Sequence, residues 1–400
     1  MTWWGSQSRH DRTIKVIQMY EAAHPNIKIT YEFANFNDYW TKLNTQAAGN
    51  QLPCIMQQDY AYVAEWSNRN LLLPLDDYYK NKTINVTSIA QSVLDSGKVG
   101  DHFYALSLGS NSQSFILDVD AFKKAGIDMP AANWTWKDFE DIAMKLHDKL
   151  GIWATANGLE DVQMWKSLYV AYGEQPFTSD GTKLGYTDDQ PLIDYYNMML
   201  RLIKAGAISS YDQSLPYING SLEQEPIVTG KEAIRYQWSN QVVAIFNAAG
   251  KDRNLVLWPL PRPVGQKSEN YIKPSQFFSI PTQCKTPDEA AKFIDYFTNS
   301  NEANDVLGGE RGVPVASTVR DYLLPKLNPV DASTFKFLSQ IEKDASPIFP
   351  PDPPGFTDIL NNVYTPEFVQ PVLYGQVSVA DGVAALRKGA EDILAKNKKS

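Results

Sequence analysis

The N-terminal segment switches its hydrophobic period several times, and that switching constrains the fold more than any other feature. Thr2-Trp3-Trp4 is a short apolar run, broken by Gly5-Ser6-Gln7. Ser8 and Asp11 then fit a capping box, and Ile14, Ile17 and Tyr20 follow at helical spacing. Ile27, Ile29, Tyr31 and Phe33 alternate with polar residues, which predicts a strand. Asp38–Ala48 reads as a helix with Trp40, Leu43 and Ala47 on one face, and Cys54–Gln57 as a buried strand before a helix from about Ala61. Strands alternating with helices predict a largely parallel sheet flanked by helices.

The remainder of the chain changes character. Lys98–Leu108 carries a hairpin signature at Gly100-Asp101, and Ser114–Leu117 is a strand. Trp136–Leu150 is a helix, and 161–172, 190–205 and 231–248 also read as helical. Leu255–Leu257 and Gln276–Ile280 are strands, Asp288–Ser300 is a helix, and a last helix is expected across Val379–Lys396. A strand-rich block, a helix-rich block and a returning strand–helix unit predict a chain that crosses between two lobes more than once, making a hinge and a cleft.

Composition removes several function classes. The chain has 400 residues and a formal net charge of −9, with 46 acidic against 37 basic residues and no long Lys/Arg run, which argues against nucleic-acid binding. No apolar stretch approaches a membrane span. Cys54 and Cys284 are too few for a disulfide framework, and no CxxC pair points to zinc. Met1-Thr2-Trp3-Trp4 carries no leader pattern, which leaves a cytoplasmic chain or a mature exported one. The N-x-S/T sequons at Asn81, Asn85, Asn133 and Asn219 read as chance occurrences. The aromatics are abundant, with 10 Trp, 21 Tyr and 17 Phe, and ask for a use beyond the core.

In open α/β sheets, ligands sit outside the carboxyl ends of strands at a switch in topology. That rule selects Ser6, Gln7 and Arg9 after the first strand, Gln58, Asp59 and Tyr60 after the Cys54 strand, and Ser110, Asn111 and Gln113 at the first expected crossover. Taken singly, each is an ordinary cap or turn residue. Together they offer the donors and acceptors that a hydroxyl-rich ligand needs. Sugar rings also pack their C–H faces on aromatic platforms inside polar rims. Tyr39, Trp40, Trp165, Trp238 and Phe277 are the aromatic candidates, beside the polar Lys166 and Gln276, although most tryptophans belong to the core.

Catalytic patterns are weak. His10, His24, His102 and His147 fall in no metal motif, and GxSxG, P-loop and strand-linked GxGxxG signatures do not occur. Asp59 with Glu160 or Asp161 would be the carboxylate pair of a polysaccharide-active hydrolase, but nothing in their sequence spacing favours it. A surface lectin is a further alternative. No cofactor and no catalytic residue are expected.

The order of several segments resembles the carbohydrate-specific extracellular solute-binding proteins of bacterial ABC importers, the maltose-binding-protein-like group. They are Thr2–Ser6 with residues 24–33, residues 38–59, residues 115–146 with their AG…P…TW turn, 228–239, 280–300, and the RGVP segment 311–314. The resemblance implies a two-lobed α/β fold, each lobe a mostly parallel sheet flanked by helices, joined by a hinge of several crossovers. It places 1–110 and 279–316 in the first lobe, and 111–278 and 317–400 in the second. An oligosaccharide would be held between the lobes and passed to permease subunits by a monomer working outside the cytoplasm, in a periplasm or on a lipid anchor. By position, Trp238 and Trp165 resemble stacking platforms, Asp59 a carboxylate for sugar hydroxyls, and Gln7, Arg9, Ser110 and Asn111 polar contacts, with Arg311 near a third crossover. Many relatives carry aspartate where this chain has Cys54. A Cys54–Cys284 disulfide and free thiols both remain open, with free thiols preferred.

Overall fold

The computed structural model describes every residue except 6, 35, 157, 219–223, 251 and 400, so the candidate Ser6 and the sequon Asn219 lie outside the described residues. Two compact units result: Met1–Asn111 with Ile272–Glu342, and Ser112–Tyr271 with Lys343–Ser400. The chain therefore passes from one to the other after Asn111, after Tyr271 and after Glu342.

The first unit is built on a five-stranded sheet. Thr2–Trp4 pairs in parallel with Glu32–Ala34 on one side and with Met56–Gln58 on the other. Phe277–Ser279 then inserts antiparallel between Met56–Gln58 and Leu106–Ser107. Trp4, Tyr39, Trp40, Leu43, Met56, Trp66 and Phe277 form the core on one side of this sheet. The strand expected over Ile27–Phe33 is paired only at Glu32–Ala34, because its partner Thr2–Trp4 offers just three ladder positions. Tyr31 and Phe33 stay partly exposed and pack on the buried Trp3, at centroid distances of 5.7 and 5.5 Å. The first helix starts at Gln7, so Ser8 lies inside it and not at its cap position.

The second unit centres on Gln113–Asp118, flanked by Leu255–Trp258 and Ile234–Trp238. All three strands run antiparallel to their neighbours, which corrects the expectation of a mostly parallel sheet in each lobe. The helix expected across 231–248 is a strand, Ile234–Trp238, followed by a helix, Val242–Ala249. In Ile-Arg-Tyr-Gln-Trp every other residue is apolar, a strand period that a longer helical window averages out. Trp136–Leu150 begins on the expected TW turn, with a reciprocal capping box between Thr135 and Asp138, and ends on Gly151 at φ 65°. Phe115, Phe139, Trp165, Tyr196, Phe368 and Leu386 belong to one core that joins the sheet to the C-terminal helices. Lys166, 2% exposed, ties residues 343–400 to this unit by donating to both oxygens of Asp352 at 2.8 and 2.9 Å.

The unit boundaries differ from expectation at Asn111, 272–278 and 317–342, which lie with the first unit. Lys273–Pro274 pairs antiparallel with Ser110–Asn111. Arg320, 4% exposed, donates to the carbonyls of Pro314 and Val315 at 2.9 Å each and to Glu342 at 2.6 Å, which holds 317–342 in place.

Cys54 and Cys284 form a disulfide, which replaces the preference for free thiols. The antiparallel register Ser279↔Met56 carries the residues after Ser279 past those before Met56, and it brings the two Cα atoms to 4.6 Å. Because the bridge closes a separation of 230 residues, it removes much unfolded-chain entropy. Reduction, or the C54S/C284S double variant, is expected to destabilise the protein by roughly 2–5 kcal/mol, seen as a lower Tm in thermal melts. An unchanged Tm would show that the bridge contributes nothing.

Glu269 is fully buried, with Oε1 accepting from Trp136 Nε1 at 2.5 Å. Burial pushes its carboxyl up to about 8, against the opposing Trp136 hydrogen bond and the charge of Arg262. Its native pKa thus lies above the unfolded value of 4.5, so between these pH values the unfolded chain holds fewer protons. Stability from this group is present at low pH and lost as pH rises towards 8. Glu269→Gln is expected to flatten the fall of Tm across that window, and parallel Tm–pH curves for the two proteins would refute the assignment.

Candidate functional site

Of the residues selected at the strand ends of the first unit, Arg9 joins a partly buried ion-pair cluster with Glu310 and Arg311. Gly5 lets Arg9 fold back against the strand end, since a Cβ there would meet Arg9 Cδ at 2.3 Å. Arg9 Nε donates to Glu310 at 2.9 Å. Arg311, 5% exposed, lies 3.5 Å from the same carboxylate and donates to Thr13 Oγ1 at 2.9 Å and to Gln57 Oε1 at 3.4 Å. Burial, reinforced by the charge of Arg9, pushes the Arg311 guanidinium down to about 9. The structure thus brings Arg9 and Arg311 together inside the first unit. The third passage between units, however, comes after Glu342, well beyond Arg311.

The other candidates of this unit are spread differently. Tyr39 is buried and donates to the Gln57 carbonyl at 2.6 Å, while Trp40 stands in the core beside it. Phe277 is fully buried, and Tyr60 stacks along it at 6.4 Å. Asp59 Oδ1 accepts from the Ala61 amide at 2.9 Å, and Gln7 donates to Asp11 at 2.7 Å on an exposed helix face. Ser110 is buried on the strand it shares with Asn111, and its hydroxyl, like Gln276 Oε1 and both amide atoms of Gln58, has no hydrogen-bond partner among the described residues.

In the second unit, Trp165 and Lys166 are core residues. Trp165 is 1% exposed, stacks on Tyr364 at 5.4 Å and donates to Tyr186 Oη at 3.0 Å. Lys166 is held by Asp352 and lies over the Phe356 ring at 4.5 Å. Trp238 is placed differently. It ends the Ile234–Trp238 strand, is only half-buried, and meets Tyr271 edge-on at 6.2 Å.

Trp238 lines a cavity of about 540 Å³ within the second unit. The strand supplies Arg235, Tyr236, Gln237 and Trp238, and the loop before the Val162–Ala171 helix supplies Gly158, Glu160 and Asp161. A π-helix, Leu360–Val369, supplies Leu360, Tyr364, Thr365 and Val369, whose spacing suits its wider turn. Gly158, at φ 100°, allows the loop to lie on the strand, because a Cβ there would stand 3.0 Å from Tyr236.

The cavity is rich in carboxyl groups. Arg235 donates to Glu225 at 2.6 Å, with side chains 6% and 2% exposed. Its charge also acts on Glu160 and Asp161. Burial raises the carboxyls of Glu160, Asp161 and Glu225 above their ordinary range, against the opposing charge of Arg235. Asp161 accepts from the Gln163 amide at 2.7 Å, and Glu160 from the Gly158 amide at 3.0 Å. The Tyr236 hydroxyl and Glu225 Oε2 have no hydrogen-bond partner among the described residues. Desolvated polar groups of this kind are ready to bond a hydroxyl-bearing guest. No His lines the cavity, and no cluster of three metal-ligating side chains occurs among the described residues.

Of this set, sequence reasoning selected Trp238 and considered Glu160 and Asp161 only as hydrolase carboxylates. Arg235 and Tyr236 were hidden by the helical reading of 231–248, and Glu225 and Tyr364 carry no local signal. Period-two alternation through Ile234–Trp238 was the one sequence cue to the strand.

The family described as bacterial extracellular solute-binding protein matches residues 8–303. A solved structure, an extracellular solute-binding protein family 1 from Alicyclobacillus acidocaldarius, aligns with a TM-score of 0.90 and 32% identity, covering 98% of this chain and 97% of that one. A periplasmic oligogalacturonide binding protein from Yersinia enterocolitica aligns with a TM-score of 0.81 over 99% and 98% of the two chains. Its identity of 22% makes this a likeness of fold alone. A curated relative from Brucella abortus, named as a binding protein, is 25% identical over 175 residues; the match takes in 42% of this chain and 41% of the relative's length. With the family match running through both units and a 32% identical structure aligned along nearly the whole chain, the protein belongs to the bacterial extracellular solute-binding proteins.

Proposed function

We propose that this protein captures an oligosaccharide outside the cytoplasm and delivers it to the permease of an ABC importer, without making or breaking a bond. The observation that carries the reading is the cavity of the second unit, where the half-buried Trp238 ring stands beside the hydroxyl, amide and charged groups of Tyr236, Gln237, Arg235 and Asp161. An aromatic platform with converging hydrogen-bonding groups suits a sugar, which is apolar on its ring faces and polar at its edges. A volume of about 540 Å³ lies within the range of small-molecule sites. Family membership supports the importer role, and the oligogalacturonide-binding relative supports the ligand class. The Cys54–Cys284 bridge is in keeping with an oxidising compartment, such as a periplasm or the outer face of a membrane. We read the working species as a monomer.

Thermal-shift screening against neutral and uronate-containing oligosaccharides is the first test, since a bound ligand raises apparent stability by mass action. In calorimetry with the glycan so found, Trp238→Ala is expected to cost about 1–3 kcal/mol, or roughly one to two decades in Kd. Affinity unchanged by that substitution would reject Trp238 as the platform, and new reducing ends appearing during incubation would replace binding with hydrolysis.

A further inference from the structure

The ionisable groups of the cavity also bear on which sugars it admits, an inference that rests on the oligosaccharide reading. Among the described residues, Glu160, Asp161 and Glu225 line it against a single cation, Arg235, and no Lys or His joins them. Arg235 is engaged by Glu225 through a buried pair at 2.6 Å. Glu160 and Asp161 therefore outnumber the cations that line the cavity, with Lys166 acting on Asp161 from behind its wall. Glu160 accepts from the Gly158 amide at 3.0 Å and from its own amide, and Asp161 from Gln163 at 2.7 Å, which leaves further lone pairs for a ligand.

A second observation points to a guest in the same place. Tyr236 is 4% exposed and lines the cavity, and its hydroxyl has no partner among the described residues. Glu225 Oε2 is in the same condition. Sugar hydroxyls can donate to the carboxylates and exchange hydrogen bonds with Tyr236, and they bring no charge with them. A hexuronate would instead place a carboxylate among the carboxylates that line the cavity, and like charges at such short range repel.

We propose that this cavity takes an uncharged sugar residue and rejects one bearing a carboxylate, with Glu160 and Asp161 as the residues that set the discrimination. The related fold from Yersinia enterocolitica binds oligogalacturonide, so charge selectivity in this chain is assigned to its own side chains and not to the architecture.

Calorimetry would compare neutral trisaccharides with trigalacturonate, on the wild type and on the E160Q/D161N double variant. The amide replacements keep size, and Asn at 161 retains an oxygen for the helix cap. At neutral pH the wild type is expected to bind at least one neutral trisaccharide about 100-fold more tightly than trigalacturonate. In the double variant that ratio should shrink by about tenfold or more. Trigalacturonate binding as tightly as the neutral sugars, or a ratio unmoved in a folded double variant, would overturn the discrimination and leave the oligosaccharide reading standing. If no glycan of either class binds, the oligosaccharide reading falls, and this inference with it.

Discussion

The insertion of Phe277–Ser279 between Met56–Gln58 and Leu106–Ser107 is the constraint on which the rest depends. A strand from late in the chain completes a sheet begun at the N-terminus. The first unit is therefore discontinuous, and residues 112–271 form most of the second unit as an excursion between its two parts. The same pairing delivers Cys284 to Cys54 and buries Phe277 in the core with Trp4 and Met56. Closing so long a loop costs chain entropy, which grows only slowly with length. The favourable terms that offset it are apolar burial and the ladder itself, with the disulfide limiting the unfolded ensemble.

Buried ions mark the joints of this discontinuous architecture. Lys166 with Asp352 fixes the C-terminal segment to the second unit, and Arg320 ties Glu342, at the end of 317–342, back to the carbonyls of Pro314 and Val315 in the first. Arg9, Glu310 and Arg311 lock the loop near 310 onto the first helix. Such pairs add little net stability over apolar packing, because desolvation cancels most of the Coulomb gain, yet a pair with one partner misplaced is costly. Their contribution here is specificity of tertiary register, where two segments distant in sequence must meet in one arrangement.

This division of labour explains what the sequence made legible. Helices such as Trp136–Leu150 and Gln190–Ala205 were read closely, because a 3.6-residue apolar period with a cap or a terminal glycine is local information. A return to the first unit was legible from order along the chain, although it was placed at 279 and the structure begins it at Ile272. The antiparallel sheet of the second unit, the short pairing of Glu32–Ala34 and the placement of 317–342 were not legible, since each is decided by distant partners. At the level of sites, Trp238 was selected for its polar neighbours and its position in the family resemblance, and the structure sets it in the wall of the cavity. Trp165 looked equally conspicuous, and its burial against Tyr364 and Tyr186 depends on residues far along the chain.

Arg235 shows why the chemistry of the cavity needed coordinates. On a strand with apolar neighbours at Ile234 and Tyr236, its side chain projects to the face where Glu225 accepts its hydrogen bond, a partner ten residues upstream on no periodic pattern. Glu160 and Asp161 come from a loop held close by Gly158, and Tyr364 from a π-helix whose wide turn places it on the same wall. None of these positions carries a motif. Once assembled, they set a local balance of charge that neither the net charge of −9 nor the fold determines. Within one architecture, ligand class can change by exchanging a few such side chains while the strand, the helices and the ion pairs that join them stay as they are.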